Sequence, residues 1–96
     1  MLDKLLQGVE VRSLVGDGTV AVGRLEFDSR QVVPGTLFFA TRGTQADGHA
    51  YIPAAVAAGA AAVVCEELPA ERPVGVTFVQ VPDSTVALGQ VASAFY

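Results

Sequence analysis

Residues 37 to 65 read LFFATRGTQADGHAYIPAAVAAGAAAVVC and carry the pattern of a strand, a helix and a second strand. Leu37–Ala40 is a continuous apolar run, typical of a strand covered on both faces, and we expect it to be the central strand. Apolar residues then recur at helical spacing over Ile52–Gly59, with Asp47 as the N-cap and the final glycine as the terminator. A second apolar run, Ala62–Cys65, predicts the next strand. This order predicts a right-handed crossover between two parallel strands.

The segment before this unit predicts only short elements. Apolar residues from Leu2 to Val9 fall at helical spacing and predict an N-terminal helix that covers one sheet edge. Alternating apolar residues predict short, half-buried strands at Val9–Val11, Val20–Val22 and Leu25–Phe27, with a turn at Gly16–Gly18 between them. The N-terminal part of the chain should therefore add short strands to the sheet.

The segment after the unit predicts a loop, a strand and a helix. Residues 66–75 concentrate charge, proline and glycine and predict a surface loop, and Val76–Val81 predicts a strand. A helix should begin at Pro82–Ser84. Because that helix reaches Tyr96 without a capping residue, we expect the polypeptide to continue. The predicted fold class is α/β, with a small mixed, partly parallel sheet and flanking helices in a single domain over residues 1–96.

Composition restricts the partners of the chain. With 51% hydrophobic residues and a net charge of -4, the 96 residues should form one compact globular domain. Six dispersed basic residues argue against nucleic-acid binding, which needs Lys and Arg to neutralise phosphates. No apolar run approaches the roughly 18 to 20 residues that span a bilayer, and the first residues lack the apolar core of a secretory leader. We therefore predict a cytoplasmic protein without membrane contact, and a buried, unreactive Cys65.

Polar and glycine residues between Phe27 and His49 fit no hydrophobic period and predict a binding surface. Some follow one predicted strand and the others follow the next, so two strand ends should present hydrogen-bonding groups together. These residues are Asp28, Ser29 and Arg30 after the first strand and Arg42, Thr44, Gln45, Asp47 and His49 after the second. Such a surface suits a small polar ligand.

Each of these residues also has a purely structural interpretation. Asp28 would cap a turn, Ser29 would satisfy a nearby backbone group, and Arg30 would pair with a surface carboxylate instead of clamping an anion. His49 is the sole histidine, and we predict a structural hydrogen bond at the helix start instead of a metal or catalytic contact. The sequence lacks GxxxxGK[ST], and no nucleophile and base can be paired. The residues alone therefore predict a binding domain without catalytic groups.

Three motifs stand in fixed order over most of the chain: FDSRQVVPGTLFFATRG, QADGHAYIPAAVAAGAAAVVCEE and VPDSTVALGQVASAFY. Together they resemble the N-terminal domain of the Mur ligases, the cytoplasmic ATP-dependent enzymes that build the peptide stem of peptidoglycan. Two branches share the pattern: MurE, which adds the third stem residue, and MurF, which adds D-alanyl-D-alanine. The final ALGQVASAFY resembles the helix that in MurE leads into the central domain, and TQADGH resembles the MurE loop. The resemblance therefore favours MurE, with MurF or a non-enzymatic binding module of the same fold as alternatives.

In MurE enzymes this domain holds the UDP part of UDP-N-acetylmuramoyl-L-alanyl-D-glutamate, and the resemblance assigns residues to that task. The implied UDP contacts are Phe27, Ser29, Thr44, Gln45 and Ala46. Many family members carry a histidine where this chain has Thr44, so a backbone contact is implied there in place of an imidazole contact. The remaining motif residues are implied to shape the loops: Asp28, Arg30, Asp47, Gly48 and His49.

The other partners implied by the resemblance belong to the complete enzyme. Its central domain binds ATP, magnesium organises the phosphates, and the C-terminal domain helps to select meso-diaminopimelate or L-lysine. ATP would activate the D-glutamate carboxylate as an acyl phosphate, which the incoming amine attacks. Residues 1–96 are expected to bind no cofactor or metal and to supply no catalytic residue. They would act by positioning the UDP-N-acetylmuramoyl-dipeptide for the central and C-terminal domains.

Overall fold

The computed structural model describes residues 2–41, 47–70, 72–73 and 75–95. Its sheet has five strands in the order β1-β5-β4-β3-β2. The strands are β1 (Ser13–Val15), β2 (Arg24–Glu26), β3 (Thr36–Phe39), β4 (Ala62–Cys65) and β5 (Thr77–Gln80). The helices are α1 (Leu2–Leu5), α2 (Ile52–Ala57) and α3 (Ser84–Phe95), and two short 3-10 turns occupy Ser29–Gln31 and Gly48–Tyr51.

Four neighbouring strands of the sheet are parallel. β2 pairs with β3, β3 with β4, and β4 with β5 in parallel register, while β1 pairs antiparallel with β5 at one edge. The predicted α/β class with a mixed, partly parallel sheet is confirmed, and so is the β3–α2–β4 crossover unit. β3 is an interior strand, but the middle position of the sheet belongs to β4. The prediction of β3 as the central strand was wrong because burial on both faces marks every interior strand alike.

The N-terminal strands lie elsewhere than the alternating valines predict. The segments Val9–Val11 and Val20–Val22 contain no strand, and the strands that do form, β1 and β2, lie at opposite edges of the sheet. The four valines instead pack, partly buried, on the apolar layer. The Val20 carbonyl accepts the backbone N–H of Leu2 at 2.9 Å and so serves the start of α1. The alternation of apolar and polar residues in this segment therefore indicates partial burial and not strand pairing.

Each face of the sheet carries its own apolar layer, because side chains alternate along the strands. Leu37 and Phe39 point to the face covered by α1 and α3, and Phe38 and Ala40 point to the face covered by α2. The side chains of β3 and β4 are fully buried. Burying a phenylalanine stabilises the fold by roughly 1.5–3 kcal/mol relative to leaving it exposed. The strand pair β3–β4 is therefore a stable base for the segments that follow these strands.

The predicted start of α3 and end of α2 are confirmed, but the predicted N-cap of α2 was wrong, because Asp47 caps the preceding Gly48–Tyr51 turn and Tyr51 is the N-cap of α2. Asp83 caps α3 by accepting the backbone N–H groups of Thr85 and Val86, both at 3.0 Å. Gly59 ends α2 in the left-handed region with φ 105°. A Cβ there would also lie 3.1 Å from Pro34 Cα, so glycine is needed on two counts.

The single cysteine is part of the core, as predicted. Cys65 is fully buried in β4, and this burial raises the pKa of its thiol to about 11. At neutral pH the sulfur is therefore protonated and a poor nucleophile. Across the described residues, no helix has both the length and the apolar content that crossing a bilayer requires.

Candidate functional site

A cleft of about 480 Å³ opens where β2 and β3 end. Because these strands are parallel, their carboxyl ends meet at the same edge of the sheet, which is where open α/β sheets bind ligands. The cleft volume falls within the range of small-molecule sites. Its lining residues are Phe27, Asp28, Ser29, Arg30, Thr41, Gly48 and Tyr51.

The wall that follows β2 is built by a local turn. Asp28 Oδ1 accepts the backbone N–H of Arg30 at 2.9 Å and its Nε–H at 3.0 Å, while Oδ2 accepts from Nη2 at 2.9 Å. The turn-capping interpretation of Asp28 is confirmed, and Arg30 is an ion-pair partner, with its side chain 85% exposed. These hydrogen bonds, first from the Arg30 side chain, lower the pKa of Asp28 and raise that of Arg30, to which Tyr51 also contributes. A charged guanidinium, paired with the Asp28 carboxylate, therefore stands at the rim of the cleft.

Two aromatic side chains of the cleft remain open to solvent. Phe27 is 64% exposed and Tyr51 is 47% exposed, although both carry large apolar rings. Ser29 lies between them in sequence and lines the same cleft, partly buried. Exposed aromatic rings beside hydroxyl and guanidinium groups are suited to a ligand with a flat ring and a charged end. The structure therefore places Phe27 and Ser29, the two contacts that the family resemblance implies after β2, on the same cleft.

The wall that follows β3 is closed by a tight backbone contact. Gly48 donates its N–H to the Thr41 carbonyl at 2.7 Å. A Cβ on Gly48 would lie 2.6 Å from the Thr41 oxygen and 2.8 Å from its nitrogen, so no other residue fits without moving the backbone. The two ends of the intervening segment are thus joined. The other predicted contacts, Thr44, Gln45 and Ala46, fall in that segment and lie outside the described residues.

The histidine at the start of the Gly48–Tyr51 turn is held on both ring nitrogens. Asp47 Oδ1 accepts the backbone N–H of His49 at 2.9 Å and lies 2.7 Å from its Nδ1. Nε2 lies 2.9 Å from the backbone N–H nitrogen of Glu66 and 3.2 Å from that of Glu67. The predicted structural hydrogen bond of His49 is confirmed. Since Nε2 accepts two N–H groups, Nδ1 carries the ring proton and the contact with Asp47 is a hydrogen bond from a neutral ring.

Two cleft residues, Thr41 and Tyr51, were not predicted from the sequence. Tyr51 precedes the apolar stripe of α2, which Ile52 and Ala55 form, and so does not fall on its buried face. An aromatic residue off the apolar stripe at a helix start was the available signal. No comparable signal marked Thr41, because a threonine after a strand is common for structural reasons alone.

The chemistry of the cleft is that of binding. Its groups are hydroxyls, aromatic rings, backbone amides and one ion pair. No group of three His, Cys, Asp or Glu side chains positioned to hold a metal ion occurs among the residues that the structure describes.

Comparison with protein families gives one match over most of the chain: the model of the Mur ligase family, catalytic domain, matches residues 22–96. The chain belongs to the Mur ligase family. The match contains the cleft wall after β2, the crossover unit and α3, so family membership rests on the same segments that build the site.

Curated relatives of this Mur ligase chain share one name. The enzyme from Bacteroides fragilis is 50% identical over 95 residues, 99% of this chain and 20% of its own length. The enzyme from Bacteroides thetaiotaomicron is 46% identical over 96 residues, 100% of this chain and 20% of its own. That from Chlorobaculum tepidum is 54% identical over 82 residues, 84% of this chain and 16% of its own. All three are named UDP-N-acetylmuramoyl-L-alanyl-D-glutamate--2,6-diaminopimelate ligase, and this chain spans about a fifth of their length or less.

Solved structures share the fold. MurF from Acinetobacter baumannii superposes with a TM-score of 0.83 at 23% identity, over 98% of this chain and 20% of that one. MurF from Thermotoga maritima, in complex with ADP, superposes with a TM-score of 0.65 at 27% identity, over 77% of this chain and 17% of that one. The first likeness is one of fold alone, and it confirms the expected resemblance to a Mur ligase domain.

Proposed function

We propose that this chain is the N-terminal substrate-binding domain of a MurE-type ligase and that it anchors the UDP moiety of UDP-N-acetylmuramoyl-L-alanyl-D-glutamate. The observation that carries the proposal is the cleft at the ends of β2 and β3, where an exposed aromatic ring, a hydroxyl and a guanidinium occur together. Relatives 46% to 54% identical to the chain, all named for ligation to this precursor, support the same reading.

Each group of the cleft suits a part of a uridine diphosphate. Phe27 offers a ring face or backbone groups to the uracil, and Ser29 offers a hydroxyl to the nucleotide. The loop residues Thr44, Gln45 and Ala46 would complete the contacts through backbone and side-chain groups. Arg30 sits on the same rim, with its guanidinium already charged beside Asp28.

The domain would act by positioning the substrate. Fixing the UDP end of a long substrate restricts where its distant D-glutamate carboxylate can lie, and so converts remote binding energy into orientation. The absence of a GxxxxGK[ST] loop from the sequence supports placing ATP binding outside this chain. We therefore assign ATP, magnesium and amide-bond formation to the central and C-terminal domains of the full-length enzyme.

Assays of the full-length polypeptide test this function. We expect calorimetry to detect binding of UDP-N-acetylmuramoyl-L-alanyl-D-glutamate, and turnover to require ATP, magnesium and an amino acid. The names of the relatives favour meso-diaminopimelate over L-lysine as that amino acid. Absence of binding to the UDP precursor would refute the proposal. Because the reaction uses a soluble nucleotide precursor, we also propose a cytoplasmic location, with no membrane or nucleic-acid partner, which fractionation and imaging of a tagged full-length protein would test.

The corresponding domain of MurF is the second candidate. It is favoured by the superposition on MurF from Thermotoga maritima, which is 27% identical over 77% of this chain with a TM-score of 0.65. The two functions separate in one competition assay, because a MurF enzyme takes the tripeptide precursor and D-alanyl-D-alanine. Turnover of that pair, with none of the dipeptide precursor, would replace the MurE proposal.

A further inference from the structure

We propose that Tyr51 is a further binding residue of the cleft: its ring packs on the nucleoside of the UDP precursor, and its hydroxyl donates to a phosphate oxygen beside Arg30. The inference rests on the proposed function and deepens it, since it concerns the same ligand in the same cleft. It starts from a large aromatic residue that lines the cleft and yet is 47% exposed.

The side chain of Tyr51 contributes little to the start of its helix. Tyr51 is the N-cap of α2, a position that favours Ser, Thr, Asp and Asn because their side chains accept a backbone N–H. The tyrosine side chain makes no such hydrogen bond. The buried contact at the start of α2 belongs to Ile52, which is 3% exposed and donates its N–H to the His49 carbonyl. The backbone is thus held by the neighbouring residues, and the Tyr51 side chain is left to act outside the core.

The Tyr51 hydroxyl is available to a ligand at the rim of the cleft. It has no hydrogen-bond partner among the residues that the structure describes. The turn that carries Arg30 packs against α2, and the side chains of Arg30 and Tyr51 line the same cleft. Their proximity also affects the pKa of Arg30, which the hydrogen bond to Asp28 raises most and Tyr51 raises further. The phenol and the guanidinium are therefore neighbours at this rim.

Arg30 has donors left for the same phosphate. Within the described part of the chain, the Asp28 carboxylate accepts from Nε and Nη2 of the Arg30 guanidinium, at 3.0 and 2.9 Å. This pairing fixes the plane of the guanidinium and leaves both N–H groups of Nη1 for another acceptor. A phosphate oxygen at this rim would therefore accept from the phenol and the guanidinium together, in hydrogen bonds strengthened by charge.

The rings of Tyr51 and Phe27 are the exposed aromatic surfaces of the cleft. Phe27 is 64% exposed, so both rings lose contact with water when a ligand covers them, which favours binding. An aromatic ring also adds contact area at a low entropic cost, because only two side-chain torsions need to be fixed. Rings beside a hydroxyl and a guanidinium match a nucleoside beside its diphosphate. The Tyr51 ring should therefore contact the nucleoside, and its oxygen the phosphate.

The test uses the full-length ligase, with the UDP precursor, UDP and uridine as probes in calorimetry and competition. Tyr51→Ala removes the ring and the hydroxyl, so it should raise the Kd for uridine about tenfold and that for UDP and the precursor about fiftyfold. Tyr51→Phe removes only the hydroxyl, so it should raise the Kd for UDP and the precursor about fivefold and leave that for uridine unchanged. The kcat should stay as in the wild type, because the reacting carboxylate lies at the other end of the substrate.

Val86→Ala is the matched control, because Val86 is also an exposed apolar residue near the start of a helix, 54% exposed in the first turn of α3. The helix α3 covers the face of the sheet opposite to α2, and Val86 does not line the cleft. We expect Val86→Ala to leave the Kd unchanged. If it weakens precursor binding as much as Tyr51→Ala does, a general loss of apolar surface explains both variants and the binding role of Tyr51 is overturned.

The outcomes separate this inference from the proposed function. Unchanged precursor binding by folded Tyr51→Ala would overturn the ring contact, and unchanged UDP binding by Tyr51→Phe would overturn the hydroxyl contact. If Tyr51→Ala does not fold, Tyr51→Phe, which lacks a single oxygen, still decides the inference: equal losses for uridine and UDP, or no loss, would overturn it. Failure of the wild type to bind the precursor would instead overturn the proposed function.

Discussion

The two walls of the cleft begin with the same turn and then diverge. After β2, Asp28 Oδ1 accepts the backbone N–H and a side-chain N–H of the residue two positions on, which is Arg30. After β3, Asp47 Oδ1 does the same for His49. The Arg30 side chain then points to solvent, whereas the His49 side chain reaches β4. One turn thus leaves its ion-paired side chain exposed at the cleft, and the other uses its ring to join the Gly48–Tyr51 turn to the end of β4.

The largest effect should come from breaking the wall after β3 at its closest backbone contact. Gly48→Ala would put a Cβ 2.6 Å from the Thr41 oxygen, which only a shift of the turn relieves. We expect a loss of about 1–3 kcal/mol in the free energy of unfolding, as for other overpacked sites, and a larger rise in the Kd for the UDP precursor than any variant of the wall after β2 causes. Denaturant titration and calorimetry measure the two.

Gly89→Ala is the control for that substitution. Gly89 lies inside α3 and a Cβ there meets nothing within 4 Å. Alanine should therefore stabilise the helix by roughly 0.5–1 kcal/mol and leave the Kd unchanged. Equal behaviour of the two variants would show that the Thr41–Gly48 contact does not hold the site.

The next effect compares the two capping aspartates. Asp47→Ala removes both the cap of the Gly48–Tyr51 turn and the acceptor of the His49 ring proton, so we expect it to cost about 1–2 kcal/mol of stability. Asp28→Ala removes a cap whose partner is exposed, and its effect on stability should be the smaller. Chemical denaturation of both variants checks the order, and the reverse order would mean that the ring contributes nothing.

A smaller effect is expected from the hydroxyl on the wall after β2. Ser29→Ala should weaken precursor binding by about 1 kcal/mol, the typical net value of one hydrogen bond, and leave stability unchanged because Ser29 is only partly buried. Calorimetry with the full-length enzyme measures this. An unchanged Kd would remove Ser29 from the site and leave the loop as the main contact.

The smallest effect is a pH dependence of the Asp28–Arg30 turn. Because hydrogen bonds from Arg30 lower the pKa of Asp28 below its usual 3.8, the folded state binds this proton less readily than the unfolded state. The stability from this pair is therefore fully present above pH 3.8 and is lost as the pH falls through the lower, folded-state pKa. The difference in the free energy of unfolding between the wild type and Asp28→Asn, measured as the pH is lowered through this range, isolates the contribution of the pair. A difference that stays constant with pH would contradict the assignment.

The sequence predicted those parts of the fold that local rules determine. Fully buried runs, helix caps and chain-reversing glycines identified β3, α2, β4 and the start of α3. The order of the strands could not be predicted from the sequence, because the position of β5 between β4 and β1 depends on contacts between distant segments. The strand predicted at Leu25–Phe27 matches β2 to within one residue, but the three-residue edge strand β1 was missed, since so short a run carries little periodicity.

The candidate site was predictable to the same degree. Phe27 and Ser29 were predicted as contacts from a family motif, and the structure places both on the cleft. The partner of His49 was not predictable, because backbone N–H groups 17 residues away leave no mark in residue identity. Tyr51 was overlooked beside a strong apolar stripe. The sequence shows which side chains can form hydrogen bonds, but the backbone groups that pair with them are known only from the fold.

The fully buried Cys65 is a chemical probe of how often β4 opens. It lies at the end of β4, immediately before Glu66, whose backbone N–H donates to Nε2 of His49. With a thiol pKa of about 11, the sulfur hardly reacts while the strand is closed. The rate of alkylation at neutral pH therefore reports how often β4 opens. If a bound nucleotide slows that labelling, the cleft and β4 open together.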